Sequence, residues 1–205
     1  MHFISSFKKW LALTIYKTHK LIEANALNTI NNDFVQKFAS IGKKYFFQYN
    51  DYNIKGPQYI KVGENLKVGR CLRMEAFDRY GTDKFSPEII IGDNVKIEDY
   101  CHIGCINKIV IGSGVLIASK VFISDHYHGN LSADDLKLIP IERPLSSKPV
   151  IIGNNVWIGD SVSIMPGVVL GDNVIVGANA VVTHSFPSNV IIAGCPAKIL
   201  RKLDK

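Results

Sequence analysis

The sequence predicts an all-β fold, a parallel β-helix with an N-terminal helical segment and one long loop excursion. Three observations carry that expectation. Units of six residues recur between Val62 and Val181, each opening on Ile, Val or Leu and most continuing with Gly. The fifth position is mostly Val, so positions five and one of successive units are two apart and point the same way on a short strand. The run "IGNNVWIGDSVSIMPGVVLGDNVIVGANAV", Ile152 to Val181, keeps this pattern without a break. Three sixes close one triangular coil, and stacked coils lie about 4.8 Å apart, the strand spacing of a sheet.

The elements follow in chain order. Residues 3–24 place Ile4, Phe7, Leu11, Ile15 and Ile22 at helical spacing, with Lys8, Lys9, Lys17 and Lys20 around that face. This helix is expected to pack on the flank or end of the coils; lying on an anionic membrane is the other reading. "GKKYFFQYNDYNIKG" is expected to link it to the first coil. The expected division is therefore a helical segment and linker over 1–54 and a β-helix domain over 55–205. Intact coils begin at Val62, Ile91, Ile111, Ile152 and Leu170. "VWI", "VSI", "VVL" and "VIV" are the strands. "GDN", "GNN" and "GSG" are the corners, where Gly and Asn tolerate unusual backbone angles. The helix is interrupted at residues 80–90 and again at 129–151, "GNLSADDLKLIPIERPLSSKPVI". Long excursions from a rigid scaffold usually carry function.

Composition narrows the function classes. The 205 residues are 47% hydrophobic and 20% charged, enough for a substantial core. A net charge of +6 favours anionic partners. The Lys and Arg residues are scattered with no aromatic-interleaved stripe, which ranks nucleic acid low. Cys71, Cys101, Cys105 and Cys195 form no CxxC pair and read as reduced thiols of a cytoplasmic protein, with no metal expected. No apolar run reaches the roughly 18 residues of a membrane span, and "WLALTIY" lacks a signal-peptide cleavage site. No P-loop or GxGxxG is present.

A coil needs no histidine, yet "VFISDHYHGN" places Asp125, His126 and His128 where the repeat stops. From the residues alone these are either solvated loop histidines or a site. Ser124 falls at a corner and Cys101 at an inward position, so both read as structural.

The block from Ile152 onward, followed by "AGCPAKILRK", resembles the hexapeptide-repeat acyltransferases, most closely sugar O-acetyltransferases of the galactoside/maltose and O-antigen/capsule type. The resemblance covers roughly residues 55–203. It implies a left-handed coil, a homotrimer, acetyl-CoA as co-substrate and a sugar hydroxyl as acceptor in surface-polysaccharide biosynthesis. Gap-free spacing from "IGSGVL" puts the family's general base on His128, with His126 serving loop order or orientation. A neutral imidazole takes the hydroxyl proton as the oxygen attacks the thioester carbon. Asp125 or Glu98 is the expected orienting partner. Glu98 stands where galactoside-type relatives use an asparagine for the acceptor. Coenzyme contacts are implied at Trp157, Asp160, Ala178, Thr183, Lys198 and Arg201; the last two suit phosphates by charge. Three other readings stay open: an amino-sugar N-acetyltransferase, a γ-type carbonic anhydrase using His102, His126 and His128, and a silent scaffold.

Overall fold

A computed structural model describes residues 2–48, 51–130 and 132–203, without the side chains of residues 2–7, 27 and 28. The chain divides into two compact units, Met1–Gln36 and Lys37–Lys205. The first is one helix, α1 (His2–Val35), of 34 residues. Every side chain from Lys8 to Ala26 is exposed. Ile4 and Phe7 lie outside the described side chains.

The second unit is three parallel sheets that the chain visits in rotation. The first sheet takes Ser40–Ile41, Ile60–Val62, Glu88–Ile91, Lys108–Ile111, Val150–Ile152 and Val169–Leu170. The third takes Asn53–Lys55, Arg73–Ala76, His102–Cys105, Phe122–Ser124, Ser163–Ile164 and Val181–Val182. The second runs from Tyr45–Phe47 through Leu66–Val68, Lys96–Ile97, Leu116–Ile117, Trp157–Ile158 and Ile175–Val176 to Val190–Ala193, and closes on Lys198–Lys202. That last pairing is antiparallel.

The repeat explains the core. First and fifth positions point inward and stack on themselves coil after coil. Met74, Ile103, Ile123, Ile164 and Val182 form one such column, none more than 1% exposed. Each buried side chain of this kind stabilises the stack by about 1.5–3 kcal/mol. The corners require left-handed backbone. Asn65, Asn94, Asn155, Asn173 and Asn189 all have φ between 55° and 61° at the same corner of five coils, and Gly114, φ 71°, takes that place in the coil between Asn94 and Asn155. Asparagine tolerates this region better than other side chains. Asn65 Nδ2 also donates to Asn94 Oδ1 at 2.9 Å, as Asn173 does to Asn189. Cys101 is a core residue, as its position predicts. Its Sγ donates to Ala118 O at 3.1 Å, and burial pushes the thiol up to about 11.

Residues 40–55 depart from expectation. Their described residues, 40–48 and 51–55, belong to the first coil of the stack rather than to a linker. Ile41 pairs with Val62, Phe47 with Val68 and Ile54 with Met74. Phe47 is 5% exposed and its ring lies 5.1 Å from that of Tyr52. Aromatic residues replace the Val-Gly signature here, which conceals the coil from a six-residue count.

Both interruptions leave the same corner, between the third and first sheets. The first occupies residues 77–87 and holds a small antiparallel hairpin, Arg79–Tyr80 with Asp83–Lys84. The second occupies residues 125–149. Its ends pair as an antiparallel ribbon, His126–His128 with Leu145–Ser147. The coil between them turns this corner at residues 106–107.

Candidate active site

The floor of the site is the outer face of the third sheet. Met74, Ile103 and Ile123 point inward, so their neighbours on each strand point out. One outward row is Arg73, His102 and Phe122; the other is Lys55, Glu75, Gly104 and Ser124. The two interruptions supply the walls: Phe77 and Tyr80 from the first, His126, His128 and Leu145 from the second. Together they enclose a cavity of about 340 Å³. Gly104 keeps the floor open. A Cβ there would lie 3.3 Å from His126 Cε1 and 3.6 Å from His102 Nε2.

Asp125 is fully buried. Its carboxylate accepts the backbone N–H of Ile106 at 3.0 Å, Asn107 at 2.7 Å and Lys108 at 2.8 Å. The Cys105 thiol donates to it at 3.2 Å. His126 Nδ1 lies 2.9 Å from its Oδ1. Burial pushes this carboxyl up, but the His126 hydrogen bond and the N–H groups of Ile106 and Asn107 outweigh it. The net position is below the ordinary aspartate value. Cys105 moves the other way, its thiol raised by burial and by the adjacent carboxylate.

Asp125 therefore orients His126, not His128, as the sequence reading allowed. The cause is strand geometry. His126 and His128 face the same side of the ribbon, but two residues carry His128 about 6.8 Å further along. There it meets another partner. His128 Nδ1 lies 3.4 Å from Tyr80 Oη, and the two rings meet edge to face at 5.4 Å. The Tyr80 hydroxyl donates to Ile141 O at 2.7 Å. With its proton engaged, the phenol oxygen faces the imidazole as an acceptor. That favours a proton on Nδ1 and leaves Nε2 with a free lone pair. Ser124, expected at a corner, ends the Phe122–Ser124 strand and lines the cavity; its Oγ donates to His126 O at 3.0 Å and lies 3.3 Å from His126 Nδ1.

Opposite the histidines sits Glu75, also fully buried. Lys55 Nζ lies 2.8 Å from Oε1, Arg73 Nε makes a short contact to Oε2, and His102 Nε2 lies 3.4 Å from Oε2. Burial raises this carboxyl, and Lys55 and Arg73 more than offset it, leaving it below the ordinary glutamate value. His102 is lowered below the ordinary histidine value by burial and by Arg73, against the pull of Glu75. Sequence reasoning missed Glu75, Arg73, Phe77 and Tyr80. One signal was available: Glu75 stands at the second position of its unit, where the repeat asks for Gly. Glu98 does not line this cavity. It follows the Lys96–Ile97 strand of the second sheet and pairs with Lys96.

A second cavity of about 370 Å³ lies beside the ribbon, lined by Tyr127, His128, Gly129, Asn130, Ser146 and Lys148. His128 lines both cavities.

The residues implied for the coenzyme lie elsewhere. Trp157 belongs to an outward row of the second sheet, Leu116, Trp157, Ile175, Ile191 and Arg201. Lys198 and Arg201 are three apart, a spacing that normally sends strand residues to opposite faces. The register shifts between Ile191 and Ile192, so the bulge skips Leu200 and returns both cations to one face. Asp160 and Ala178 are exposed on adjoining corners, where Asn179 N donates to Asp160 O at 2.8 Å. Thr183 is exposed just past the last strand of the third sheet. Among the described residues no group of three His, Cys, Asp or Glu side chains is placed to hold a metal ion. His102, His126 and His128 all line the cavity on the third sheet.

Comparison with known proteins agrees with this architecture. The bacterial transferase hexapeptide (six repeats) family matches residues 149–184. The chain is 44% identical over 155 residues to WbbJ of Escherichia coli, named a lipopolysaccharide biosynthesis O-acetyl transferase, covering 74% of this chain and 76% of that one. A solved maltose O-acetyltransferase from Clostridium difficile is 29% identical with a TM-score of 0.54, covering 85% and 75% of the two chains. AntD of Bacillus cereus, an N-acyltransferase solved with dTDP-4-amino-4,6-dideoxyglucose and coenzyme A, shares the fold at a TM-score of 0.67 and 20% identity, over 85% and 90%. The coil-by-coil repeat and the extent of the WbbJ match establish that the chain belongs to the hexapeptide-repeat acyltransferases.

Proposed function

We propose that the protein is an acetyl-CoA-dependent O-acetyltransferase that modifies a sugar hydroxyl during surface-polysaccharide synthesis, with His128 as general base. The observation that carries this reading is the position of His128 between two cavities. Donor and acceptor must meet at the base from different sides. Tyr80 supports the assignment by presenting an acceptor oxygen to Nδ1. In the step itself, His128 Nε2 takes the proton of the acceptor hydroxyl. The oxygen attacks the thioester carbon, a C–O bond forms and the C–S bond breaks. The same imidazole returns the proton to the coenzyme thiolate, so no covalent enzyme intermediate is needed.

The acceptor lies on the floor of the 340 Å³ cavity. Phe77 and Phe122 offer apolar faces to a sugar ring; Glu75, Arg73 and His102 offer hydrogen-bonding groups to its hydroxyls. The coenzyme is held by Trp157, Asp160, Ala178, Thr183, Lys198 and Arg201. Trp157, Lys198 and Arg201 lie on the second sheet, whereas the histidine cavity lies on the third. That separation favours a homotrimer in which one subunit's second sheet faces another's third. Light scattering that gives a stable monomer of 22.8 kDa would rule this out. Left-handed winding, a catalytic domain formed by the coils, which begin at Ser40–Ile41 rather than at residue 55, and a cytoplasmic location belong to the same reading.

A second reading makes His126 the base, favoured by its 2.9 Å contact with the buried Asp125. Thiol release from acetyl-CoA decides between them, measured against neutral sugars, amino sugars and lipid-linked oligosaccharides. His128→Ala should lower kcat by about 10²–10⁴ with unchanged acetyl-CoA affinity. A dead His126→Ala beside an active His128→Ala moves the base to His126. Turnover of amino sugars alone replaces O-transfer by N-transfer.

A further inference from the structure

We propose that α1 is a docking element for an anionic lipid surface, lying in the plane of the interface. This is independent of the acyl-transfer reading. Every described side chain from Lys8 to Ala26 is exposed, among them Ile15, Leu21 and Ile22, each more than 60%. At 3.6 residues per turn, Leu11, Ile15, Thr18 and Ile22 fall in one row along the helix, with Trp10, Thr14 and Leu21 beside it. The threonines do not spoil this apolar stripe. Thr14 Oγ1 donates to Trp10 O at 3.0 Å, which ties its hydroxyl back to the helix and leaves its methyl outward. Thr14, Ile15, Thr18, His19 and Ile22 line a shallow groove of about 330 Å³ on this face.

Charge identifies the occupant. Lys8, Lys9, Lys17 and Lys20 lie off the stripe, and Glu23 is the one acidic residue between positions 8 and 26. Glu23 is already engaged, 3.3 Å from Lys20 Nζ and 3.5 Å from His19 Nδ1. Lys8 and Lys17 flank the stripe on its two sides, while Lys9 and Lys20 share the far face with the exposed Leu13 and Tyr16. An apolar stripe that carries a tryptophan and is edged by lysines suits an anionic headgroup layer. The same lysines oppose side-by-side packing of a second copy of the helix. No helix among the described residues is long and apolar enough to cross a membrane. The stripe therefore rests on the surface rather than passing through it.

The test uses the full chain and vesicles of phosphatidylcholine alone or of equal parts phosphatidylcholine and phosphatidylglycerol. The protein should sediment with the anionic vesicles and not the neutral ones. Tryptophan emission should shift to the blue on binding, and Trp10→Phe should abolish that shift. Lys8→Glu, Lys9→Glu and Lys17→Glu together should weaken vesicle binding by at least about 100-fold, from the usual contribution of a surface lysine. Ile15→Ser with Ile22→Ser should also release the protein while leaving acetyl-CoA affinity intact. Equal binding to both vesicle types, no binding to either, or full binding by the triple Glu variant overturns the proposal. If the Ser pair instead lowers the oligomeric mass of a protein that ignores vesicles, the stripe is a contact between copies.

Discussion

Replacing Asp125 by Ala tests the assignment of this carboxylate to the corner and to His126. The side chain accepts three backbone N–H groups from residues 106–108 and receives the Cys105 thiol and the His126 ring. Leaving a buried donor unsatisfied costs about 1–3 kcal/mol. Three such donors, partly relieved by water entering the vacated space, give an expected loss of about 3–5 kcal/mol. For a chain of this size that corresponds to a fall in Tm of roughly 6–20 °C. Urea unfolding at pH 7 and a thermal scan measure it. The pH dependence adds a sign. The folded carboxyl lies below its ordinary value, so its contribution is fully present above about pH 4, the unfolded-state value, and fades as pH falls towards the folded value. The difference between wild type and Asp125→Ala should therefore shrink only under acid conditions. A stability change under about 0.5 kcal/mol, the range of a neutral surface substitution, would refute the argument. So would a difference that vanishes between pH 6 and 8.

Two further outcomes are expected. Gly104→Ala puts a methyl 3.3 Å from His126 Cε1, so it should lower kcat/KM for the acceptor by at least about tenfold, near one CH₂ of misfit in a tight pocket. Steady-state kinetics should show this with acetyl-CoA affinity unchanged; an equal loss for both substrates would place Gly104 outside the acceptor site. Lys198→Ala with Arg201→Ala should weaken acetyl-CoA binding by about 1–3 kcal/mol in calorimetry. Unchanged affinity removes the pair from the coenzyme site.

The stack was legible because its core writes itself on the sequence. Ile91, Ile111, Ile152 and Leu170 recur at a fixed unit position and are buried in one column. The first coil was not legible, since Phe47 and Tyr52 fill space that Val and Ile fill elsewhere. In the site, "DHYH" announced itself as a break in pattern, but not which ring the aspartate would serve. That depends on the Asp125 side chain turning back onto residues 106–108, a contact across 17 or more positions. Tyr80 was invisible for a similar reason. Its meeting with His128 spans 48 positions and exists only because both interruptions leave one corner.

That shared corner makes the site a distance ruled in whole coils. The roots of the two interruptions, after Ala76 and after Ser124, sit two rungs apart with His102–Cys105 between them. Two rungs are about 9.6 Å. Inserting or deleting one coil elsewhere in the stack leaves that interval unchanged. Doing so between these roots moves the walls by about 4.8 Å, enough to part Tyr80 from His128 while every core column stays filled. The spacing of the two walls is thus set by one interval of the stack. Repeats added or removed within residues 77–124 should part Tyr80 from His128, and those added or removed elsewhere should leave that pair together.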